Sequence, residues 1–203
     1  MEQQKDTYNT IVAPSKEVLF KDRGSKFYGY AFPVKTEEEI KEHIENLKKT
    51  HFNARHWCYA WQLGKEYDRY RANDDGEPSN SAGMPIYGQL QSFKVTNTLI
   101  VVVRYFGGTK LGVGGLIQAY KTAAQWALEN SKIVEKTIDV NYKLVFDYPE
   151  MNTVMRIIKD QNLNITGQKL ELNCEYILSV RKKDADRIFS IFENTYKVTI
   201  KKI

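Results

Sequence analysis

The order of apolar and polar residues divides the first part of the chain into short strand-like and helix-like segments. Apolar residues that alternate with polar ones, or follow one another without interruption, predict strands. These strands are expected at 18–20, 26–33, 56–63 and 99–103. Apolar residues at helical spacing predict helices after the capping-box pair Thr36 and Glu39, and at 86–93 and 116–128. Residues 1–15 are polar overall and are expected to be frayed.

The apolar pattern restarts near residues 133–137 and continues to the end of the chain. It predicts a strand at 140–146, a helix that begins at Pro149, strands within 163–180, a helix over 182–195 and a strand at 196–200. A turn is expected at Gly167-Gln168. The resulting order, β-α-β-β-α-β, is typical of a ferredoxin-like unit. The sequence therefore predicts an α+β protein with domains at 1–135 and 136–203.

The composition is that of a folded protein in a reducing compartment. Of the 203 residues, 42% are apolar, which argues against disorder. No run approaches the roughly 18 apolar residues of a membrane-spanning helix, so no membrane contact is expected. The first residues lack the apolar core of a signal peptide, which favours a cytoplasmic protein. Cys58 and Cys174 fall in different domains and are predicted to be reduced and buried.

The charge is only mildly positive. The chain carries 30 basic and 25 acidic residues, a net charge of +5. This balance permits contact with RNA or ribosomes but does not require it.

A glycine-rich loop between a strand and a helix is the clearest candidate for a binding site. Such a loop exposes backbone N–H groups at the positive end of a helix, and Arg104 and Lys110 add charge, which together predict an anion site. The alternative is a loop that only packs the helix closely on the sheet. The candidate anion- or nucleic-acid-binding residues are Arg104, Gly107, Gly108, Lys110, Gly112, Gly114 and Gly115.

The loop does not fit the named nucleotide-binding motifs. A Walker A loop requires lysine where Val113 follows Gly112, and a dinucleotide fingerprint requires glycine where Ile117 stands. Tyr105 and Phe106 have two interpretations, stacking on bases or filling the core beneath the loop.

Polar residues upstream form a second candidate cluster. The segment 74–77 could bind a cation or form a turn fixed by Pro78. A third alternative is that Asp74 or Glu77 pairs with Arg104 or Lys110. A base and nucleophile pair of His56 and Cys58 is conceivable, but a thiol between aromatic residues is usually inert, so a structural role is favoured. The candidate groove consists of His56, Asp74, Asp75, Glu77 and Ser79. His43 and His51 are expected to be solvated, and no catalytic residue, metal or cofactor is predicted.

Four segments, in the same order, resemble the signature of the YigZ/IMPACT family: 22–27, 54–60, 74–79 and 104–124. The resemblance covers about residues 15–130. One departure is Asn80, where the family usually has the first glycine of Gly-Thr-Ala-Gly, although asparagine tolerates a left-handed turn. The resemblance implies a first domain like the second domain of ribosomal protein S5 and a ferredoxin-like second domain. Both folds also resemble the last two domains of elongation factor G.

The resemblance also implies a function. Eukaryotic IMPACT, which carries an additional partner-binding domain, dampens activation of the general-control translation kinase by competing for that kinase's activator. The expectation is therefore a non-enzymatic, translation-linked protein that binds RNA, the ribosome or a ribosome-associated protein. The alternative is a small-molecule phosphate enzyme of GHMP-kinase-like topology, although the loop lacks the serine-rich ending of those kinases. The sequence does not predict an oligomeric state.

Overall fold

The computed structural model describes residues 6–203, which divide into two compact units. The larger unit spans residues 8–136, and the smaller one combines residues 137–203 with Asp6 and Thr7. The chain is thus a mixed α and β protein of two domains. Within residues 6–203, no helix is long and apolar enough to cross a membrane.

The larger unit is built on an antiparallel sheet with helices on both faces. Its elements are β1 (Thr7–Ile11), β2 (Val18–Asp22), β3 (Ser25–Pro33), α1 (Glu37–Thr50), β4 (His56–Leu63), β5 (Arg69–Asn73), α2 (Gly83–Ser92), β6 (Thr98–Tyr105), α3 (Gly112–Glu129) and β7 (Ile133–Thr137). The main sheet has the order β2-β3-β6-β4-β5, and β1 pairs with β7 separately.

The alternation along β4 separates two apolar layers, as the sequence predicts. Cys58 and Ala60 contribute to the layer beneath α2 and α3, which we call the inner face. Trp57, Tyr59 and Trp61 contribute to the opposite layer, which is covered by α1 and which we call the outer face. The uninterrupted apolar run of β6 contributes to both layers, which explains why this strand does not alternate.

In the larger unit one local expectation is corrected, and two strands, β5 and β7, were not predicted. Residues 1–15 were expected to be frayed, but residues 7–11 form strand β1. Residues 1–5 lie outside the described chain. The expected boundary at 133–137 is itself a strand, β7, paired with β1. Strand β5, which was not predicted, is a polar edge strand. The partner of β1 lies more than a hundred residues away, so no local pattern reveals their pairing.

The smaller unit has the predicted element order. It consists of β8 (Asp139–Phe146), α4 (Met151–Asp160), β9 (Asn164–Leu170), β10 (Cys174–Arg181), α5 (Ala185–Glu193) and β11 (Val198–Lys202). Its antiparallel sheet has the order β11-β8-β10-β9. The expected turn at Gly167-Gln168 is wrong, because both residues lie within β9. Gly167 pairs with Ile177, whose side chain occupies the space that a Cβ at position 167 would meet.

Candidate functional site

The glycine-rich loop is held against the tip of the β2–β3 hairpin. The Gly107 N–H donates to Ser25 Oγ at 3.1 Å. A Cβ placed on Gly107 would lie 1.9 Å from the carbonyl carbon of Gly24 and 2.1 Å from Ser25 N. Glycine is therefore required at position 107, because two backbones touch there. This contact brings two of the family-like segments together.

The end of the loop opens directly into helix α3. Gly112 has a φ of +72° where the helix begins, and no side chain caps the first turn. A Cβ at Gly114 would meet nothing within 4 Å, so there is open space beside this residue. An uncapped first turn with room above it leaves its N–H groups available to a ligand.

Arg104 is engaged in a buried ion pair on the inner face. Its Nη1 lies 2.6 Å from Glu77 Oε1, and the Tyr120 hydroxyl donates to the same oxygen at 2.7 Å. The side chains of Arg104 and Glu77 are only 6% and 4% exposed. This ion pair is one of the alternatives that the sequence left open for the acidic segment. The charge of Arg104 is thus already neutralised, whereas Lys110 is exposed at the loop.

The two aspartates of the acidic segment bind backbone groups. Asp74 accepts from the N–H groups of Asn80, Ala82 and Gly83 at 2.8–2.9 Å and so caps α2. Asp75 Oδ2 accepts from the Trp57 N–H at 2.7 Å. Among residues 6–203, no group of His, Cys, Asp and Glu side chains is arranged to hold a metal ion.

Asn80 adopts the left-handed conformation that its position requires. Its φ is +60°, in keeping with the expectation that asparagine replaces the family's glycine in this turn. Ser79, the remaining member of the candidate groove, is exposed in the same turn.

His56 and Cys58 both contact backbone carbonyls of the acidic segment. His56 Nδ1 lies 2.8 Å from the Asp75 carbonyl oxygen, and since a carbonyl only accepts, Nδ1 carries the hydrogen. The Cys58 thiol lies 3.0 Å from the Asp74 carbonyl oxygen and 3.3 Å from Tyr120 Oη. Burial raises the pKa of Cys58 well above its ordinary value, and burial likewise raises the pKa of Tyr120.

We expect both cysteines to be unreactive in the folded protein. Cys58 and Cys174 are free and buried, and the raised pKa of Cys58 suppresses its thiolate form. Titration with Ellman's reagent near neutral pH should detect no fast-reacting thiol until denaturant is added, after which both should react. Rapid labelling of Cys58 in the native protein would contradict the buried geometry.

His51, which follows helix α1, packs against the outer face of the sheet, contrary to the expectation that it is solvated. It is 8% exposed, and its Nε2 and Nδ1 lie 2.6 Å and 3.0 Å from the hydroxyls of Tyr30 and Tyr105. Burial lowers the pKa of His51, which favours the neutral ring. Tyr105 is thus fixed on the outer face, whereas Phe106 lines a cavity at the start of α3.

A cavity of about 340 Å³ lies where the loop, the acidic segment and α3 meet. Its charged members are Lys110 and the Glu77–Arg104 ion pair, and the rest of its lining is mainly apolar. The lining residues are Glu77, Pro78, Arg104, Phe106, Lys110, Leu111, Gly112, Val113 and Leu116.

The cavity brings together only part of the predicted site. Four of the predicted residues line it: Glu77, Arg104, Lys110 and Gly112. Eight do not: His56, Asp74, Asp75, Ser79, Gly107, Gly108, Gly114 and Gly115. Neither the apolar lining of the cavity nor Tyr120 was predicted from the sequence. The one available signal for Tyr120 was a hydroxyl on the apolar stripe of a helix, where a buried phenol needs a partner.

Comparison with known proteins places these features in a family. Residues 23–128 match the family model described as the Impact N-terminal domain. The chain is similar to the IMPACT family member YvyE of Bacillus subtilis, with 34% identity over 162 residues, covering 80% of this chain and 75% of that protein. It is also similar to an IMPACT family member of Haemophilus influenzae, with 33% identity over 88% of this chain and 89% of that protein. A crystal structure described as that of a hypothetical protein aligns with a TM-score of 0.73 and 25% identity over 98% of both chains.

Proposed function

The chain belongs to the IMPACT family, and we propose that it is a translation-linked binding protein that holds an anionic group of RNA at the first turn of α3. The observation that carries this proposal is the uncapped helix start at the mouth of a cavity, with Lys110 beside it. Backbone N–H groups and a lysine bind phosphate without reading a base, so we expect weak, salt-sensitive binding with little sequence preference.

We propose binding rather than catalysis because the groups suited to proton transfer are engaged in structural contacts. Glu77 is paired with Arg104, and His56 Nδ1 is bonded to a backbone carbonyl. The raised pKa of Cys58 removes its nucleophilic form. These contacts disfavour the alternative of a GHMP-kinase-like phosphate enzyme, which needs a positioned base or cation at the transferred phosphate.

We also propose an S5-like first domain, residues 1–135, and a ferredoxin-like second domain, residues 136–203. The sheet order β11-β8-β10-β9, with helices between its strands, supports the second assignment. A cytoplasmic location follows from the proposed contact with RNA, the ribosome or a ribosome-associated protein.

Lys110→Glu is expected to weaken association with ribosomes and RNA. A contact to phosphate becomes a repulsion, and the negative slope of log K against log salt should become shallower by about 0.7 for a single strand. The measurement is a filter-binding titration at several salt concentrations, accompanied by sedimentation with purified ribosomes. The matched control is Lys65→Glu, because Lys65 is also exposed but does not line the cavity.

Two outcomes would count against the proposal. Equal binding by the Lys110 and Lys65 variants would mean that the loop is not part of the interface. Phosphate release from ATP by the wild type would favour an enzyme. Arg104→Glu is unsuitable for this test, because it would bury a second carboxylate beside Glu77.

A further inference from the structure

We propose that the tip of the β2–β3 hairpin and the adjoining aromatic residues of the outer face bind single-stranded nucleic acid and lead it to the cavity. We call Lys21, Arg23 and Lys26 the basic tip. The cavity end of this path rests on the proposed function, whereas the basic tip rests on separate features of the hairpin.

The basic tip contains a charge arrangement that does not stabilise the sheet. Lys21 and Lys26 are directly opposite each other on β2 and β3, and like charges in that position repel. Arg23 is exposed in the turn between them with a φ of +43°. Within residues 6–203, none of the three forms an ion pair, and the turn contributes one carboxylate, Asp22. An unbalanced row of cations fits an anionic partner.

Aromatic rings lie on the same face beside the basic tip. The register places Lys26 opposite Tyr105, whose ring contacts that of Tyr28 at 5.7 Å between centroids. Both rings are partly exposed, and His51 fixes the Tyr105 hydroxyl. Phe52, the residue after His51, is 75% exposed. Exposed or partly exposed aromatic rings beside cations form the kind of surface on which unpaired bases stack.

The basic tip and the cavity lie at the same end of the sheet, and the path passes over that end from the outer face to the inner face. The hairpin turn touches the glycine-rich loop through the backbone contact of Gly24 with Gly107. Beyond that contact, the Arg55 guanidinium lies 5.6 Å from the centroid of the Phe106 ring, which is 39% exposed and lines the cavity. Cations and exposed rings thus extend from the hairpin to the start of α3.

Single-stranded nucleic acid fits this path better than a duplex. Cations alone suit any polyanion, but ring faces add binding only when bases are unpaired and free to stack. Stacking tolerates every base, so the path predicts little sequence preference.

The test compares the binding of a fluorescently labelled twelve-nucleotide oligouridylate with that of a twelve-base-pair RNA duplex, by anisotropy at several salt concentrations. Lys21→Gln/Lys26→Gln should weaken oligouridylate binding about tenfold. The negative slope of log K against log salt should become shallower by about 1.4 for two lost contacts to a single strand. Phe52→Ala should weaken binding with no change in the salt slope, since it removes stacking and no charge. The control Lys41→Gln/Lys65→Gln, which has the same change of charge at exposed positions outside the basic tip, should bind as the wild type does.

A thermal melt separates loss of binding from loss of folding. The basic-tip variant should melt no lower than the wild type, because the substitutions relieve the repulsion between Lys21 and Lys26. Equal binding of duplex and oligouridylate, or equal weakening by the control, would overturn the proposal. Competition by polyglutamate as effective as that by unlabelled oligouridylate would also overturn it, in favour of an acidic protein.

The result also distinguishes this proposal from the proposed function. If Lys110→Glu weakens nucleic-acid binding and the basic-tip variant does not, the loop site is supported and the path from the hairpin is ruled out. If only the basic-tip variant weakens binding, the hairpin is a binding surface but the nucleic acid does not reach the cavity.

Discussion

Gly107→Ala is expected to lower the free energy of unfolding of the larger unit by about 3 kcal/mol, the upper end of the usual cost of overpacking. The added Cβ would lie 1.9 Å from the carbonyl carbon of Gly24, so the loop and the hairpin must separate. Neither contact is with the far end of a flexible side chain, so no rotamer change relieves it. The variant also strains the hydrogen bond from the Gly107 N–H to Ser25 Oγ.

Two other loop glycines provide matched controls. Gly108→Ala introduces a Cβ with nothing within 4 Å but at a φ of +87°, so only the left-handed strain of about 1–2 kcal/mol is expected. Gly114→Ala, in the first turn of α3 and also without neighbours, should stabilise by about 0.5–1 kcal/mol.

Urea unfolding followed by tryptophan fluorescence measures all three variants. The three tryptophans, Trp57, Trp61 and Trp126, lie in the larger unit, so this signal reports on that unit alone. If Gly107→Ala lowers the free energy of unfolding by no more than Gly108→Ala does, the contact between the hairpin and the loop contributes nothing to stability. Gly107→Ala should also weaken nucleic-acid binding in the folded protein, because it separates the basic tip from the cavity.

Segments whose burial is set by their own periodicity could be predicted from the sequence. In β4, the side chains of Cys58 and Ala60 and those of Trp57 and Tyr59 alternate between the two faces as expected. The order of elements in residues 137–203 was likewise predictable, since each of its helices carries a clear apolar stripe.

The features that escaped prediction depend on contacts between distant segments. The pairing of β1 with β7 and the burial of His51 between Tyr30 and Tyr105 leave no local pattern. The Glu77–Arg104 pair was recognised only as an alternative, because a polar turn gives no sign of which carboxylate will be buried. The cavity was missed for the same reason: its apolar lining comes from a turn, a loop and a helix.

The second large effect on stability is expected at the buried ion pair of Glu77 and Arg104. Glu77→Gln keeps the shape of the side chain but leaves the guanidinium of Arg104 buried without a counter-charge. Removing one partner of such a pair typically costs about 3–5 kcal/mol. Ser25 Oγ, 3.5 Å from Arg104 Nη2, is a neutral group and supplies no counter-charge. We therefore expect Glu77→Gln to be among the most destabilising conservative substitutions in the larger unit.

A double-mutant cycle tests whether this cost comes from the pair. Arg104→Met removes the cation but leaves the Glu77 carboxylate with the Tyr120 hydroxyl, and the double variant Glu77→Gln/Arg104→Met removes both charges. We expect the double variant to be less destabilised than the sum of the single variants by about 2 kcal/mol or more, since neither charge is then left alone. The measurement is again urea unfolding followed by tryptophan fluorescence. Strict additivity would mean that the two charges do not stabilise each other. Wild-type stability of Glu77→Gln would mean that the carboxylate has no structural role, and its place in the cavity wall would then favour a direct contact with the ligand.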